Sequence, residues 1–547
     1  MQRLDRSPRA VSTHPRSWKR VLLLSALTLV GTACDRDGGG GPLGPLDAER
    51  VENFDHTQEL VEAERPYVAP VDLELDWALA NALVPAERGS ELVARIRVEA
   101  PEELALPRPP ARVVLVVDTS ASMKGDAIEG AKAAAIELVD SLSDGDSFSL
   151  VVFHSRAETL MSATLIGANS RTAAKAEIEK MQAWGTTDLA GGMREALGQL
   201  AAAPISMATP EPETGAGVQA GAGVWVNNGP DPQVLERVVL LGDGVPNDPA
   251  PIAALTQEFA ARGAEITALG YGLEYDEVLL ASLAEATHGH FRFVEEPDAV
   301  AALFRDELLH IQRTVARDLR LGMGLGPGVS LIEVVGHTVQ WNAQLGHNEI
   351  VLGSISEGQT QELIVRLAVG PHSEGATVEL SDLELSFTDV YTGTGSRFER
   401  SFLSVRASAD DQAIDAGRDL DIARAGARAR TDAATLQVLA LARAGQLDES
   451  KARMAEAVKW AKNTAKTLED EVLRAQAERL AALEPELRSL ARQARRAVST
   501  ASVAFDHGPS RPPSKGGAPQ PFPAQPSAAG ARSVKAAHND AYNNLHN

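Results

Sequence analysis

At 547 residues the chain is longer than one ordinary hydrophobic core organises, so several domains are expected. Its 44% hydrophobic and 23% charged residues are those of a soluble globular protein, so cores can form. A formal net charge of −23 argues against nucleic acid as a partner and leaves some capacity for cations.

Six basic residues, Arg3, Arg6, Arg9, Arg16, Lys19 and Arg20, precede the apolar run VLLLSALTLVGTA (21–33). A positive leader before an apolar stretch too short for a comfortable membrane span predicts an export signal over residues 1–33. Cys34 follows at once and is the only cysteine, so it has no internal disulfide partner. With small residues before it (Gly31, Thr32, Ala33) and the Gly/Pro-rich stretch DRDGGGGPLGPLDAE (35–49) after it, the arrangement resembles a bacterial lipoprotein signal. It departs from that pattern at Gly31, where Leu is preferred. The resemblance implies lipidation of Cys34, a tether over residues 34–64, and an exported protein held in the cell envelope through its lipid. No other segment approaches a transmembrane length.

Further along, VDLELDWALANALV (71–84) and ELVARIRVEA (91–100) alternate like strands and predict part of a flanking β-sandwich over 65–110. Between residues 111 and 313 apolar strands alternate with amphipathic segments, the signature of a Rossmann-like, doubly wound parallel sheet. Predicted strands are RVVLVVD (112–118), SFSLVVF (147–153), RVVLLGD (237–243), EITALGYG (265–272) and HFRFVE (290–295). Predicted helices cover 127–142, 171–184, 189–203, 249–263, 276–289 and 297–313, with stops at Gly263 and Gly289. A Pro/Gly/Ala-rich insertion occupies 204–233. From 314 to 407 the period returns to two, which predicts a β-sandwich, with GMGLGPG (322–328) as a loop between strands. Strand-like segments on both sides of the α/β unit place that unit inside one sandwich. Residues 411–500 predict a small helical bundle turning at Gly445, and 501–547 a disordered tail rich in Pro, Gly, Ser and Asn.

Ligands of an open α/β sheet bind beyond the carboxyl ends of its strands. Asp118 stands at that end of the first strand, and Ser120 and Ser122 follow at steps of two, so one carboxylate and two hydroxyls can face the same side. WGTTDL (184–189) adds Thr186, Thr187 and Asp188 before a helix, and LLGDGVPN (240–247) adds Asp243. Oxygen-only donors suit a hard cation such as Mg²⁺.

DTSAS, GTTDL and LLGDG, in this order on alternating strands and helices, resemble the von Willebrand factor type A domain and its metal-ion-dependent adhesion site. The resemblance covers roughly residues 111–313. It implies Asp118, Ser120, Ser122, Thr187 and Asp243 as the metal set, Mg²⁺ as the ion with Mn²⁺ or Ca²⁺ as substitutes, and a partner protein whose acidic side chain completes the coordination. Two positions depart from the family: Thr186 stands where a second glycine is usual, and Gly242 where Thr or Ser often precedes Asp243.

Other constellations give no chemistry. His288 and His290 flank Gly289 without Cys or Glu partners and read as surface residues at a helix end, and His337 and His347 have no ligand spacing. Trp460 reads as packing. Gly-x-Ser-x-Gly and the phosphate-loop Gly-Lys-Ser/Thr are absent. The leading expectation is a membrane-anchored, exported binding module and not an enzyme. The alternative is an envelope scaffold or assembly factor whose C-terminal helices make the main contacts.

Overall fold

The computed structural model describes residues 71–102, 110–204, 234–295, 300, 302–305, 310, 313–391, 396–493 and 528–546. The export signal, Cys34 with its tether, nearly all of the 204–233 insertion and most of the 297–313 helix lie outside the described residues.

Three strands come first: β1 (Glu74–Leu79), β2 (Leu83–Pro85) and β3 (Ser90–Glu99). Strand β3 reads SELVARIRVE, and its period of two is expressed as burial of Leu92, Ala94, Ile96 and Val98 between more exposed Glu91, Val93, Arg95 and Arg97. The next strand, β4 (Ala111–Asp118), is buried at every position. It has a core on each face: Val113, Leu115 and Val117 enter one, Val114 and Val116 the other. That is why its sequence is a continuous apolar run, since parallel strands covered by helices on both sides have no solvent face.

The first core is closed by α1 (Asp126–Ser141) and α2 (Ala168–Glu179). The second is closed by α3 (Leu189–Ala202), α4 (Ile252–Arg262) and α5 (Glu277–Ala286). The sheet also contains β5 (Ser147–Phe153), β6 (Ala157–Leu165), β7 (Leu235–Gly242), β8 (Glu265–Tyr271) and β9 (Phe291–Val294), in the order β6-β5-β4-β7-β8-β9. All neighbours are parallel except β6, an antiparallel edge strand that the sequence reading passed over. The helix expected over 171–184 ends at Glu179, which frees 180–184 to form the loop carrying Trp184. As predicted, α4 stops at Gly263, whose φ of 75° is the left-handed conformation glycine adopts without strain.

After the α/β unit come β10 (Thr314–Leu325), β11 (Val329–Val334), β12 (Gln340–Asn342), β13 (His347–Ser356), β14 (Thr360–Val369), β15 (Thr377–Asp389) and β16 (Ser396–Ser408). They join the first three strands in two sheets, β1-β3-β14-β11 and β12-β13-β10-β15-β16-β2. The α/β unit is therefore an insertion between β3 and β10 of a single sandwich. One expectation is corrected here. Gly322 and Gly324 belong to β10 and not to a loop; a Cβ on Gly322 would lie 2.6 Å from the His347 ring, so the glycine marks close packing inside a strand.

The helical region comprises α6 (Asp411–Ala416), α7 (Leu420–Arg443), α8 (Leu447–Leu468), α9 (Glu471–Ala482) and a helical segment over 484–493. Asp410, Asp419 and Asp470 each accept two backbone N–H groups at an N-terminus, contributing about 1 kcal/mol apiece. Helices α7 and α8 turn at Gly445, φ 78°, as predicted. Arg430 stacks 4.2 Å from the Trp460 ring, so that tryptophan packs. The disordered tail expected over 501–547 is overturned for residues 528–546. They form α10 (Ala528–His546), which lays Val534, His538, Ala541, Tyr542 and Leu545 against the rest of the chain. Among the described residues no helix is long and apolar enough to cross a membrane.

Candidate metal centre

The polar residues singled out in the sequence meet where β4 and β7 end. Asp118 closes β4 and is 0% exposed. The chain then leaves the sheet: the Thr119 N–H donates to the Phe153 carbonyl at 2.8 Å, and a short 3₁₀ turn over Ala121–Met123 buries Met123. That buried methionine anchors the loop, with Ser120 buried at the sheet end and Ser122 exposed above it. The Ser120 N–H donates to Asp118 Oδ1 at 2.7 Å. The Ser120 hydroxyl lies 2.9 Å from that of Ser122 and donates to Asp243 Oδ1 at 3.2 Å.

The second loop is stitched to the first by backbone bonds, from the Trp184 N–H to the Thr119 carbonyl at 2.8 Å and from the Ala121 N–H to the Gly185 carbonyl at 3.2 Å. Gly185 has φ 82°, and a Cβ there would lie 2.5 Å from Ser155 Oγ, so a larger residue would break the stitch. Within GTTDL the hydroxyls then separate by role. The Thr186 N–H and hydroxyl donate to Ser155 Oγ at 3.1 and 3.2 Å, and its hydroxyl accepts from Asn247 Nδ2 at 2.9 Å. Asp188 caps α3, accepting from the Gly191 N–H at 2.9 Å. Thr187 is left to the centre. Its carbonyl accepts from the Asn247 N–H at 2.9 Å, and its hydroxyl lies over Gly244, where a Cβ would come within 2.8 Å.

Ser155, Asn247 and Gly244 are supports that the sequence reading missed. Gly244 follows Asp243 inside the recognised motif and could have been noticed; Ser155 and Asn247 are ordinary loop residues whose roles exist only in three dimensions. The Thr186 departure is absorbed by the bonds to Ser155 and Asn247. Cys34, the expected lipid attachment point, lies outside the described residues.

Electrostatics single this place out. Burial, and after it the neighbouring Asp243 charge, push the Asp118 carboxyl up to about 7. Burial likewise raises Asp243. Asp118 Oδ2 is buried without a hydrogen-bond donor, and among the described residues neither carboxylate has an ion-pair partner. An orphaned carboxylate oxygen beside a second acid and the Ser120 and Ser122 hydroxyls, with the Thr187 hydroxyl over the adjoining Gly244, is what a hard divalent cation would satisfy, so the donor set fits the ion. Among the described residues no three His, Cys, Asp or Glu are placed to hold a metal ion, so at this centre the two carboxylates would need the hydroxyls as further donors.

Comparison with known proteins agrees with this fold. Residues 111–293 match the von Willebrand factor type A domain. The chain carries a von Willebrand factor type A domain. An uncharacterised protein of Synechocystis sp. is 24% identical over 316 residues, which cover 56% of this chain and 68% of that protein. Human inter-alpha-trypsin inhibitor heavy chain H4 is 26% identical over 239 residues, 43% of this chain but only 23% of the heavy chain, so the two share a module and not a whole architecture. A von Willebrand factor type A protein from Catenulispora acidiphila superposes with a TM-score of 0.57 at 18% identity, covering 75% of this chain and 91% of that one. That likeness extends the shared fold beyond the von Willebrand factor type A domain into the flanking elements.

Proposed function

We propose that this protein is a non-enzymatic binding module, which engages a partner carboxylate through a divalent cation, in the first instance Mg²⁺, held by Asp118, Ser120, Ser122, Thr187 and Asp243. The observation that carries the reading is the buried Asp118–Asp243 pair with an orphaned Asp118 oxygen and, among the described residues, no ion-pair partner. Domains of this type are protein-interaction modules, and the von Willebrand factor type A match supports that class of function. Two carboxylates and three hydroxyls do not over-neutralise a dication and supply five donors, which leaves an octahedral ion one position for a single further carboxylate. No histidine, lysine or further acid occurs among the five residues to act as a general base, which favours binding over hydrolysis.

The basic leader, the apolar run and Cys34 add export and lipid anchoring in the cell envelope to the proposal. The alternative, a scaffold working through its C-terminal helices, is less favoured because α7 and α10 already spend their apolar faces inside the chain.

Isothermal titration of the full chain with Mg²⁺ and Mn²⁺ tests the reading. Saturable one-site binding that disappears in Asp118→Ala with unchanged circular dichroism is expected; undiminished binding in that variant rejects it. Retention of the Cys34→Ala variant in membrane fractions would reject the lipid anchor.

A further inference from the structure

We propose that the partner carboxylate recognised at this centre sits between apolar side chains, and that Trp184 and Val245 form the rim that reads them. The inference rests on the metal-dependent reading above and names the partner chemistry.

The floor of the centre is buried: Asp118, Ser120, Thr187 and Asp243 are all under 9% exposed. Its surroundings are not. Trp184 is 50% exposed and Val245 52%, two large apolar side chains that folding leaves in water beside a polar floor. Both are held in place. The Trp184 N–H is bonded to the carbonyl of Thr119, the residue after Asp118, and its ring lies 3.9 Å from that of buried His154. Val245 lies two residues after Asp243, in the segment closed by the Asn247 N–H on the Thr187 carbonyl. The loops that supply Thr187 and Asp243 thus each present one fixed apolar side chain at the same strand ends.

Charge narrows the occupant. Coordination of a carboxylate is not selective in itself, because every Asp or Glu offers the same group. A run of acids is disfavoured, since two ionised carboxylates already balance the dication and the chain as a whole carries −23. A single acid in an apolar context gains the metal bond and also covers Trp184 and Val245, and rigid aromatic anchors are the residues on which binding energy concentrates.

The probes are capped peptides Gly-X-Asp-X-Gly with X as Gly, Leu or Asp, titrated into the full Mg²⁺-loaded chain, with Mn²⁺ affinity measured separately. The Leu peptide is expected to bind about tenfold tighter than the Gly peptide, and the Asp peptide no tighter than the Gly peptide. Trp184→Ser and Val245→Ser should each shrink the Leu preference to about threefold or less while Mn²⁺ affinity stays within about twofold of the parent. Equal binding of the Leu and Gly peptides, a Leu preference that survives both substitutions, tighter binding of the Asp peptide, or no peptide binding to metal-loaded protein overturns the rim and leaves the metal centre standing. Absence of saturable Mn²⁺ binding overturns the metal centre and the rim with it.

Discussion

Glu277 and Asp118 are both carboxylates with no exposed surface, and their surroundings are opposite. Glu277, at the start of α5, meets Lys535 Nζ at 2.5 Å and Arg443 at 2.6 and 3.0 Å. Lys535, itself buried in α10, also donates to the Tyr275 carbonyl and lies 3.6 Å from the Tyr275 ring centroid. Burial alone would raise the Glu277 carboxyl, yet the two cations hold it at about 2. Asp118 has a second acid where Glu277 has two bases, and its carboxyl goes up to about 7. A buried acid that brings its own counter-charge fastens three segments together. A buried acid without one is open to charge from outside, and on the proposed reading that difference is what separates a binding site from a structural joint when burial is the same.

The largest effect should come from breaking the self-sufficient joint. Lys535→Met leaves Glu277 with Arg443 alone and should lower stability by about 3 kcal/mol in urea denaturation, whereas adding Glu277→Gln to it should restore part of the loss. A change in Lys535→Met as small as that of an exposed pair would show that the joint contributes little.

Acid should attack the same joint next. Burial pushes His538 down to about 4, His337 to about 4 and His546 to about 3, all on or against α10. Each folded value lies below the ordinary 6.5, so the unfolded chain binds more protons in that interval. Stability from keeping these rings neutral is complete above pH 6.5 and drains as pH falls toward 4. Glu277, its carboxyl depressed from 4.5 to about 2, contributes fully above pH 4.5 and loses that contribution as pH falls from 4.5 toward 2. Stability from thermal melts should fall by about 2 kcal/mol for each ring kept neutral between pH 7 and 4.5, with exchange of α10 amides rising first; a flat profile would contradict the buried, neutral assignment.

At the unpaired acid the sign reverses. Asp118→Asn relieves the carboxylate repulsion, so in chelator the variant should be as stable as the parent or about 1 kcal/mol more stable. It should also lose the rise in melting temperature that Mg²⁺ confers on the parent. The smallest effect is expected at Thr186→Gly, which puts the family's usual glycine in place of an exposed loop-edge side chain whose hydroxyl bonds Ser155 and Asn247 and keeps the backbone N–H bond to Ser155. Stability should change by about 0.5 kcal/mol and metal affinity by about threefold or less. A larger loss would move Thr186 into the centre.

Much of this comparison's first half was legible in the sequence. Asp118, Ser120, Ser122, Thr187 and Asp243 stand in short motifs at the ends of apolar runs, and local patterning carries that information. The interrupted sandwich was legible too, because β3 and most of β15 keep a period of two. The second half was hidden. Strand β6, AETLMSATL, is only half-buried along its length and lacks the apolar density of its neighbours. Helix α10 spaces Val534, His538, Ala541, Tyr542 and Leu545 on one face, a helical period masked by Asn, His and Ala composition and by the Pro/Gly-rich stretch before it. Nothing local to Glu277 or Lys535 announces their pairing, which spans 258 residues of chain.

The insertion between β3 and β10 has a consequence for the order in which the chain acquires its structure. Strand β3 pairs with β14, Ser90 opposite Val369 and Glu99 opposite Thr360, so the first strands to be synthesised must wait for some of the last. Closing so long a loop from an unfolded chain is slow and entropically costly. Both ends of the insertion, however, land on one turn: the Pro101 carbonyl accepts from the Gly358 N–H and the Arg313 carbonyl from the Glu357 N–H, each at 2.8 Å. In the folded chain the α/β unit thus holds its two ends at neighbouring positions, so an insertion of more than two hundred residues spans the sandwich no wider than a short turn would.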